Sequence, residues 1–391
     1  MKYLVLLSVL LMSIPLLLQA EQNSTPSLTL ATYRADWLVV GAGPAGIATI
    51  AALLDAAVKP ENIIWVDDAF KVGALGKFYR NVPPNSSCQN FFTFFNLSTH
   101  LRRYAYLYRR LTPATPSTRT LLEVIKPLQK ITDNLRLSVA NVCARLDSVQ
   151  YDKTTDLWHA FLPAIKLEAR NVILATGSSP KSLQHEEHAR TLPLHVALNK
   201  RKLQQSIKPN EAIAVFGSSH SAALVLKHLI ELGCNRIFHI YKYPFRFRKK
   251  TKEGFVYPFS GLQGEAGKWA SHSLPHPNIT SLPLLDNRLP SALNECSVII
   301  DAIGFEPSSL PVRAEDLYPV PQGAHELGPR LYGVGIAFPD ATRDASGHNE
   351  GAVSLLAFMR TLKREIPRWI RKAGRSVHRA PLSISMQTNS D

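Results

Sequence analysis

The sequence predicts an α/β protein with two strand–turn–helix units and a small β-meander between them. Three observations predict it. A glycine turn joins an apolar strand to an Ala-rich helix near residue 41, a similar unit begins at Ile213, and strand patterns at 142–151, 157–162 and 165–175 are separated by turn residues. The 391 residues are 45% apolar and 19% charged, so the chain can bury the cores of two domains.

The N-terminus has the pattern of a secretory signal peptide. Met1 and Lys2 precede an apolar run at 3–18, and Ala20 provides a small residue for cleavage. The run is short for a membrane span of about 20 residues, and an uncleaved anchor is the alternative. We therefore expect a signal peptide or membrane anchor at 1–20, with membrane association through residues 3–18, and a linker at 21–33. The protein is expected to be exported, periplasmic or secreted, or membrane-anchored, with the cytosol as the remaining alternative.

The first glycine turn has the spacing of a dinucleotide-binding fingerprint. Gly41 permits a tight turn, Gly43 lets a pyrophosphate approach the backbone, and Gly46 lets the helix pack against the strand. The helix opens at Pro44 and Ala45, and its N-terminus supplies unpaired amides and positive potential to a phosphate.

An acid follows the next strand. The apolar run Ile63 to Val66 ends at Asp67, where a carboxylate can accept hydroxyls of an adenosine ribose. Strand, glycine turn, helix, strand and acid in this order predict a dinucleotide site. The alternative is a structural glycine turn that binds nothing.

Later segments complete the pattern. The last strand of the meander ends in Ala175, Thr176 and Gly177, and a late apolar strand at 298–301 leads to Gly304. Between them lies a second glycine turn, which consists of Gly217, Ser218, Ser219, His220, Ser221 and Ala222.

This order of motifs resembles the FAD-dependent, NAD(P)H-linked oxidoreductases with two dinucleotide-binding domains, especially the flavin-containing and N-hydroxylating monooxygenases. The resemblance covers about residues 36–365 and implies two Rossmann-like domains. The FAD-binding domain would comprise 34–185 and 297–375, the inserted NAD(P)H-binding domain 190–296, and a basic disordered tail 376–391. Widely spaced cysteines form no C-x-x-C motif, so the redox dithiol of related disulfide reductases is not expected.

The resemblance also implies roles for residues. FAD would lie at the first turn and meet Thr176, Gly177 and Gly304, with Asp340 and Gly351 in the terminal segment that reaches the flavin in relatives. NADPH or NADH would lie at the second turn, where Ser219 replaces the usual second glycine and narrows the approach of the pyrophosphate.

Two further positions are expected to act on the cofactors. The cations Lys242 and Arg246 follow the strand after the second turn, where they could meet a 2′-phosphate, which favours NADPH, and the alternative is a solvated loop. Asn81 and Asn85 lie in a segment that resembles the loop approaching the flavin. They are the catalytic candidates, as hydrogen-bond partners of the cofactor or of bound peroxide, and turn chemistry beside Pro83 is the alternative.

Charge and motif content exclude other classes. The chain has 45 Lys and Arg against 30 Asp and Glu, a formal net charge of +15, yet no RNA-binding or DNA-binding signature accompanies it. No histidine spacing indicates a metal. We therefore expect a small-molecule substrate or electron acceptor as the partner. Monooxygenase chemistry is the first hypothesis, an NAD(P)H dehydrogenase that reduces a quinone or protein the second, and a non-catalytic FAD-binding interaction protein the third.

Overall fold

A computed structural model of the protein describes residues 31–109, 111, 120–186, 188–308, 310–318 and 323–375. The predicted signal peptide or anchor at 1–20, the linker residues 21–30 and the basic tail at 376–391 lie outside the described residues. Residues 31–33, which the sequence assigned to the linker, instead begin the first strand. Within the described ranges, no helix is both long and apolar enough to cross a membrane.

The chain first builds a parallel sheet with helices and the meander. Its elements are β1 Ala31–Val40, α1 Pro44–Asp55, β2 Ile63–Asp67, α2 Gly73–Phe78, α3 Cys88–Asn96, α4 Thr99–Arg102, α5 Leu122–Arg136, β3 Ala140–Cys143, β4 Ser148–Asp152, β5 Leu157–Phe161, β6 Ile165–Leu174 and β7 Ser178–Pro180.

A second α/β unit follows. Its elements are β8 Arg190–Thr191, α6 Leu194–Ala197, α7 Lys200–Ser206, β9 Ile213–Phe216, α8 His220–Glu231, β10 Ile237–Tyr241, β11 Lys249–Lys250, β12 Phe255–Val256, α9 Gly264–Ser273, β13 Ile279–Pro283, α10 Leu289–Glu295 and β14 Val298–Asp301.

The chain then returns to the first sheet. The last elements are β15 Phe305–Pro307, β16 Val312–Arg313, β17 Glu326–Gly328, β18 Leu331–Gly333, β19 Ala341–Arg343, β20 Asn349–Gly351 and α11 Leu355–Arg375. We call residues 31–180 and 305–375 the outer domain and residues 190–301 the inserted domain. Both belong to one compact unit.

The outer sheet has the strand order of a dinucleotide-binding domain. Strands β3, β2, β1, β6 and β18 lie side by side and run parallel, so that Val40 pairs with Val66 on one side and with Leu174 on the other. The first half of β6 pairs with β5 instead of β18, and β5 pairs with β4, which forms the meander. Apolar clusters fill both faces, one beneath α1, α5 and α11 and the other beneath the meander.

The meander differs from its prediction in one respect. The pattern at 142–151 indicated a single strand, but the structure has two. Strand β3 pairs with β2 at one edge of the sheet, whereas β4 pairs with β5, and both lie on the other side of β1 and β6. One continuous strand could not reach both positions, so the chain breaks at 144–147.

The inserted domain contains a parallel sheet in the order β13, β10, β9, β14, β8. Because Val298 pairs with Ile213, β14 is part of this sheet and not of the FAD-binding domain to which the sequence assigned it. The short strands β7 and β15 pair antiparallel where the chain leaves and re-enters the outer domain.

Candidate active site at the two glycine turns

The first glycine turn joins three strands of the outer sheet. Gly41 has a φ of +105°, its N–H donates to Val66 O at 2.7 Å, and a Cβ at this position would overlap the carbonyl oxygen of Ala175. A side chain is therefore excluded both by backbone conformation and by space. A Cβ on Gly46 would in turn overlap the carbonyl oxygen of Gly41, so the helix packs directly on the turn.

The N-terminus of α1 is open to an anion. Gly43 is its N-cap and offers no side-chain acceptor, Pro44 has no N–H, and the first turn contains no acidic residue. The amides of Ala45 and Gly46 therefore have no partner within the helix. Gly73 lies opposite, so close that a Cβ on it would be 2.9 Å from Gly43 Cα. The missing side chains let these two backbone segments touch, and the open amides that begin α1 fit a diphosphate.

Asp67 is held at this turn by backbone amides. Its Oδ2 accepts from the N–H of Ala42 at 2.7 Å, and its Oδ1 accepts from the N–H groups of Ala69 at 2.9 Å and Phe70 at 2.6 Å. A carboxylate offers about four lone-pair sites, so these contacts leave room for about one ribose hydroxyl rather than two. The neighbouring Asp68 is half-exposed and pairs with Lys77 Nζ at 2.6 Å.

The second glycine turn has the same backbone solution in the inserted domain. Gly217 has a φ of +116°, its N–H donates to Ile240 O at 2.8 Å, and a Cβ would overlap the carbonyl oxygen of Ala302. Ser219 is the N-cap of α8 in an extended conformation, and its side chain makes no capping hydrogen bond. With no acidic residue in its first turn, α8 also begins with unpaired amides, where Ser221 and Ala222 lie.

The two predicted cations stand beside aromatic rings past β10. The Arg246 guanidinium carbon is 4.8 Å from the ring centroid of Tyr243 and 5.1 Å from that of Tyr257, and Lys242 Nζ is 5.5 Å from Tyr243. Across the described residues neither cation forms an ion pair with a carboxylate. Arg248, in contrast, donates to Gln263 Oε1 at 2.6 Å.

Thr176, Gly177 and Gly304 come together at the crossing between the domains. The hydroxyl of Thr176 donates to Ser308 O at 3.4 Å, and Gly177 O accepts from the N–H of Ser308 at 3.0 Å. Gly304 O accepts from the N–H of Lys181 at 3.0 Å. These hydrogen bonds therefore join the two segments that contain β7 and β15, where the chain passes between the domains.

The structure assigns Asp340 to an ionic cluster. His325 Nε2 lies 2.7 Å and Arg364 2.6 Å from its Oδ1, and the Thr361 hydroxyl also donates to it. Although burial opposes ionisation, hydrogen bonds from Arg364, Thr361 and His325 hold the pKa of Asp340 down to about 2. That this carboxylate also contacts the cofactor stays a prediction.

The terminal segment reaches the first turn through another residue. A Cβ on Gly335 would lie 2.7 Å from the Cβ of Ala45, at the start of α1. Gly351 lies in β20 opposite Ala341, and a Cβ there would be 3.0 Å from Pro339 Cγ. The sequence singled out neither Gly335 nor Gly73, because their roles depend on how remote segments meet.

The structure separates the two catalytic candidates. Asn81 is exposed. The side-chain N–H of Asn85 donates to Gly261 O at 3.4 Å, and its main-chain oxygen accepts from Gln263 Nε2 at 2.8 Å, so Asn85 lies where the two domains meet. Among the described residues its Oδ1 is buried and has no hydrogen-bond partner. A buried unpaired acceptor costs about 1–3 kcal/mol, which a bound donor would recover.

His220 makes the neighbouring contact between the domains. Its Nε2 lies 3.0 Å from Pro83 O, and its buried Nδ1 has no partner in the described part of the chain. Burial lowers the pKa of His220, so the ring is neutral near pH 7 and its one proton lies on Nε2, which donates to Pro83. The buried polar contacts of Pro83, Asn85, His220 and residues 261–263 are called the seam below.

Comparison with known proteins agrees with this architecture. No family model matches the sequence. The chain is 29% identical over 384 residues to a monooxygenase named AgnR1 from Paecilomyces divaricatus, covering 85% of this chain and 97% of that protein.

Solved structures that share the fold include two monooxygenases. A flavin-containing monooxygenase from Stenotrophomonas maltophilia superposes with a TM-score of 0.59 at 13% identity, covering 88% of this chain and 99% of that one. An ornithine N-hydroxylase from Kutzneria sp. 744, in complex with reduced FAD, NADP⁺ and L-ornithine, superposes with a TM-score of 0.58 at 15% identity, covering 87% and 99%. The predicted resemblance is therefore confirmed, and with it the fold class: this chain has the two-domain fold of FAD-dependent, NAD(P)H-linked oxidoreductases.

Proposed function

We propose that the protein is a monooxygenase that takes reducing equivalents from NADPH and transfers one oxygen atom to a small nucleophilic substrate. The observation that carries the proposal is Asn85, whose buried Oδ1 has no partner among the described residues at the seam between the two domains. The relationship to a protein named as a monooxygenase supports the same reaction class.

The chain's own residues would bind and orient, and FAD would supply the redox chemistry when bound. The amides that begin α1 and α8 would hold the two diphosphates. Asn85 Oδ1 would accept a hydrogen bond from an N–H or O–H donor of whatever occupies the seam. Because the seam atoms are buried, this hydrogen bond would form away from bulk water, where it is stronger than at the surface.

The choice of NADPH rests on Lys242 and Arg246. Both are exposed and lie past the end of β10, next to the aromatic rings of Tyr243 and Tyr257. No carboxylate in the described part of the chain pairs with either cation. Such cations fit the 2′-phosphate that distinguishes NADPH from NADH.

The test uses the full chain loaded with FAD. Anaerobic NADPH should reduce the flavin, and readmitted ¹⁸O₂ should label a model thioether or amine. Rapid reduction with electrons passed to a quinone and no ¹⁸O label would favour a dehydrogenase. No reduction by NADPH or NADH would favour a non-catalytic FAD-binding protein. Either result would refute the proposal.

The two asparagines provide a matched pair for the same assay. We expect Asn85→Ala to raise the hydrogen peroxide released per NADPH at least about fivefold, because one lost hydrogen bond to the reacting complex is worth about 1 kcal/mol or more. Asn81→Ala, at an exposed position, should match wild type. Equal peroxide yields from both variants would remove Asn85 from the mechanism.

We further propose that residues 1–20 direct the protein out of the cytosol or anchor it. The apolar run at 3–18 after Lys2 supports this. Fractionation with N-terminal sequencing of the mature protein tests it. An intact Met1 in a cytosolic pool would contradict it.

A further inference from the structure

The inserted domain forms hydrogen bonds with the loop that contains Asn85. Gln263 Nε2 donates to the main-chain oxygen of Asn85 at 2.8 Å, and Gly261 O accepts from the Asn85 side chain at 3.4 Å. Gln263 is the N-cap of α9, yet its side chain makes no capping hydrogen bond. The side chain is thus committed to a contact between domains rather than to its own helix.

Arg248 fixes the orientation of the Gln263 carboxamide. Its Nη1 donates to Gln263 Oε1 at 2.6 Å, and its guanidinium carbon lies 3.9 Å from the ring centroid of Phe255. A guanidinium only donates hydrogen bonds, so Arg248 can bind the carboxamide of Gln263 only at its oxygen, Oε1. Gln263 must therefore present its N–H to Asn85.

His220 holds the same loop from a second side. It donates Nε2–H to Pro83 O at 3.0 Å, two residues before Asn85. All three contacts come from the inserted domain, and the buried side-chain oxygen of Asn85, Oδ1, has no partner among the described residues.

We propose that Gln263, oriented by Arg248, is a positioning residue that holds Asn85 with its carboxamide oxygen available to the bound molecules. The proposal rests on the function proposed above. It assigns to the inserted domain a second task beyond binding the nicotinamide dinucleotide, because the docking of this domain sets the position of the catalytic candidate on the other domain. Oxygen transfer would then be coupled to NADPH oxidation only while this hydrogen bond is intact.

The test compares Gln263→Ala with Gln263→Glu in the full chain. Glutamate keeps an acceptor for Arg248 but has no N–H for Asn85, so both variants lose the contact and only the first also loses the Arg248 contact. Gln205→Ala, at an exposed glutamine of the inserted domain, is the matched control. We expect both Gln263 variants to release at least about threefold more hydrogen peroxide per NADPH than wild type and the control.

A second readout needs no bound FAD. Hydrogen exchange of the peptide spanning residues 79–88 should be at least about threefold faster in both Gln263 variants than in wild type and Gln205→Ala, because the loop is released. Unchanged exchange overturns the proposal. Faster exchange with an unchanged peroxide yield also overturns it, because Gln263 would then hold the loop without affecting the reaction.

These readouts keep the two proposals apart. A wild-type protein that NADPH does not reduce refutes the proposed function. In that case the exchange experiment still decides whether Gln263 positions Asn85.

Discussion

The two glycine turns share the same backbone conformation at their first glycine, but the residues that follow it make different contacts. Gly41 and Gly217 each have a φ above +100°, each donates its N–H to the neighbouring strand, and each would drive a Cβ into a carbonyl oxygen, that of Ala175 or Ala302. This position is dictated by the fold itself, since three strands and a helix converge there.

The positions after the first glycine differ between the two turns. The first turn continues with Gly43 and Gly46 and is closed by Asp67, which binds three amides. The second continues with Ser219 and His220, and the latter contacts the other domain. The first turn is therefore closed by contacts within the outer domain, whereas the second also joins the domains.

The largest effects should come from the shared glycines. Gly41→Ala should weaken FAD binding about 10- to 100-fold. Gly217→Ala should leave FAD bound and weaken NADP⁺ binding by a similar factor. In both variants an alanine is forced into a backbone conformation with positive φ, which costs about 1–3 kcal/mol. Fluorescence titration of FAD and calorimetry of NADP⁺ measure both. Gly374→Ala is the control, because a Cβ there meets nothing within 4 Å. A Gly41→Ala protein with wild-type FAD affinity would break the comparison.

The acid of the first turn should give the next largest effect. Asp67→Asn replaces one acceptor oxygen by an NH₂ group that faces backbone N–H groups, and a lost charged hydrogen bond costs about 1.5–3 kcal/mol, so FAD affinity should fall about tenfold or more. Asp68→Asn, which breaks only the half-exposed pair with Lys77, should change it less than about twofold. The reverse order, measured by the same FAD titration, would move the ribose contact to Asp68.

Local sequence patterns predicted the two glycine turns, but they did not predict contacts between residues that are far apart in the sequence. Gly41 and Gly217 were visible in the sequence because the backbone demands glycine between a strand and a helix. Gln263 was not, because its contact joins it to Asn85, 178 positions away, and no spacing marks it. The contacts of Asp340 with His325 and Arg364 were not predicted, because an acid after a late strand looks the same in the sequence whether or not it pairs with a remote cation.

The same reasoning explains the strand errors. Residues 142–151 have continuous strand propensity, and only the sheet order shows that β3 and β4 lie on opposite sides of β1. Likewise, the apolar run of β14 fits either sheet, and its pairing with β9 decides the matter.

The basic residues past β10 should produce a smaller, selective effect. Arg246→Ala should weaken NADP⁺ binding about tenfold and leave NAD⁺ binding unchanged, because an exposed cation on a phosphate contributes about 1.4 kcal/mol. The difference should shrink at high salt. Lys252→Ala, an exposed cation of the same basic run, is the control. Equal losses for NADP⁺ and NAD⁺ in calorimetry would show that Arg246 does not read the 2′-phosphate and that the second turn is not specialised for NADPH.

Lowering the pH should slightly reduce the stability of the outer domain through Asp340, whose carboxylate belongs to an ionic cluster with His325 and Arg364. Its pKa in the folded protein, about 2, lies below the usual 3.8, so its contribution to stability is complete above pH 4 and is lost as the pH falls toward 2. Asp340→Asn should therefore lower the Tm by about 2–4 °C at pH 7, and the gap should narrow below pH 4. Calorimetric melting between pH 3 and 7 measures this difference in Tm.

Because the cluster joins α11 to the segment after β18, FAD affinity should change less in Asp340→Asn than in Asp67→Asn. A larger loss of FAD in Asp340→Asn would return this carboxylate to the cofactor site and show that the first turn shares its binding task with the terminal segment.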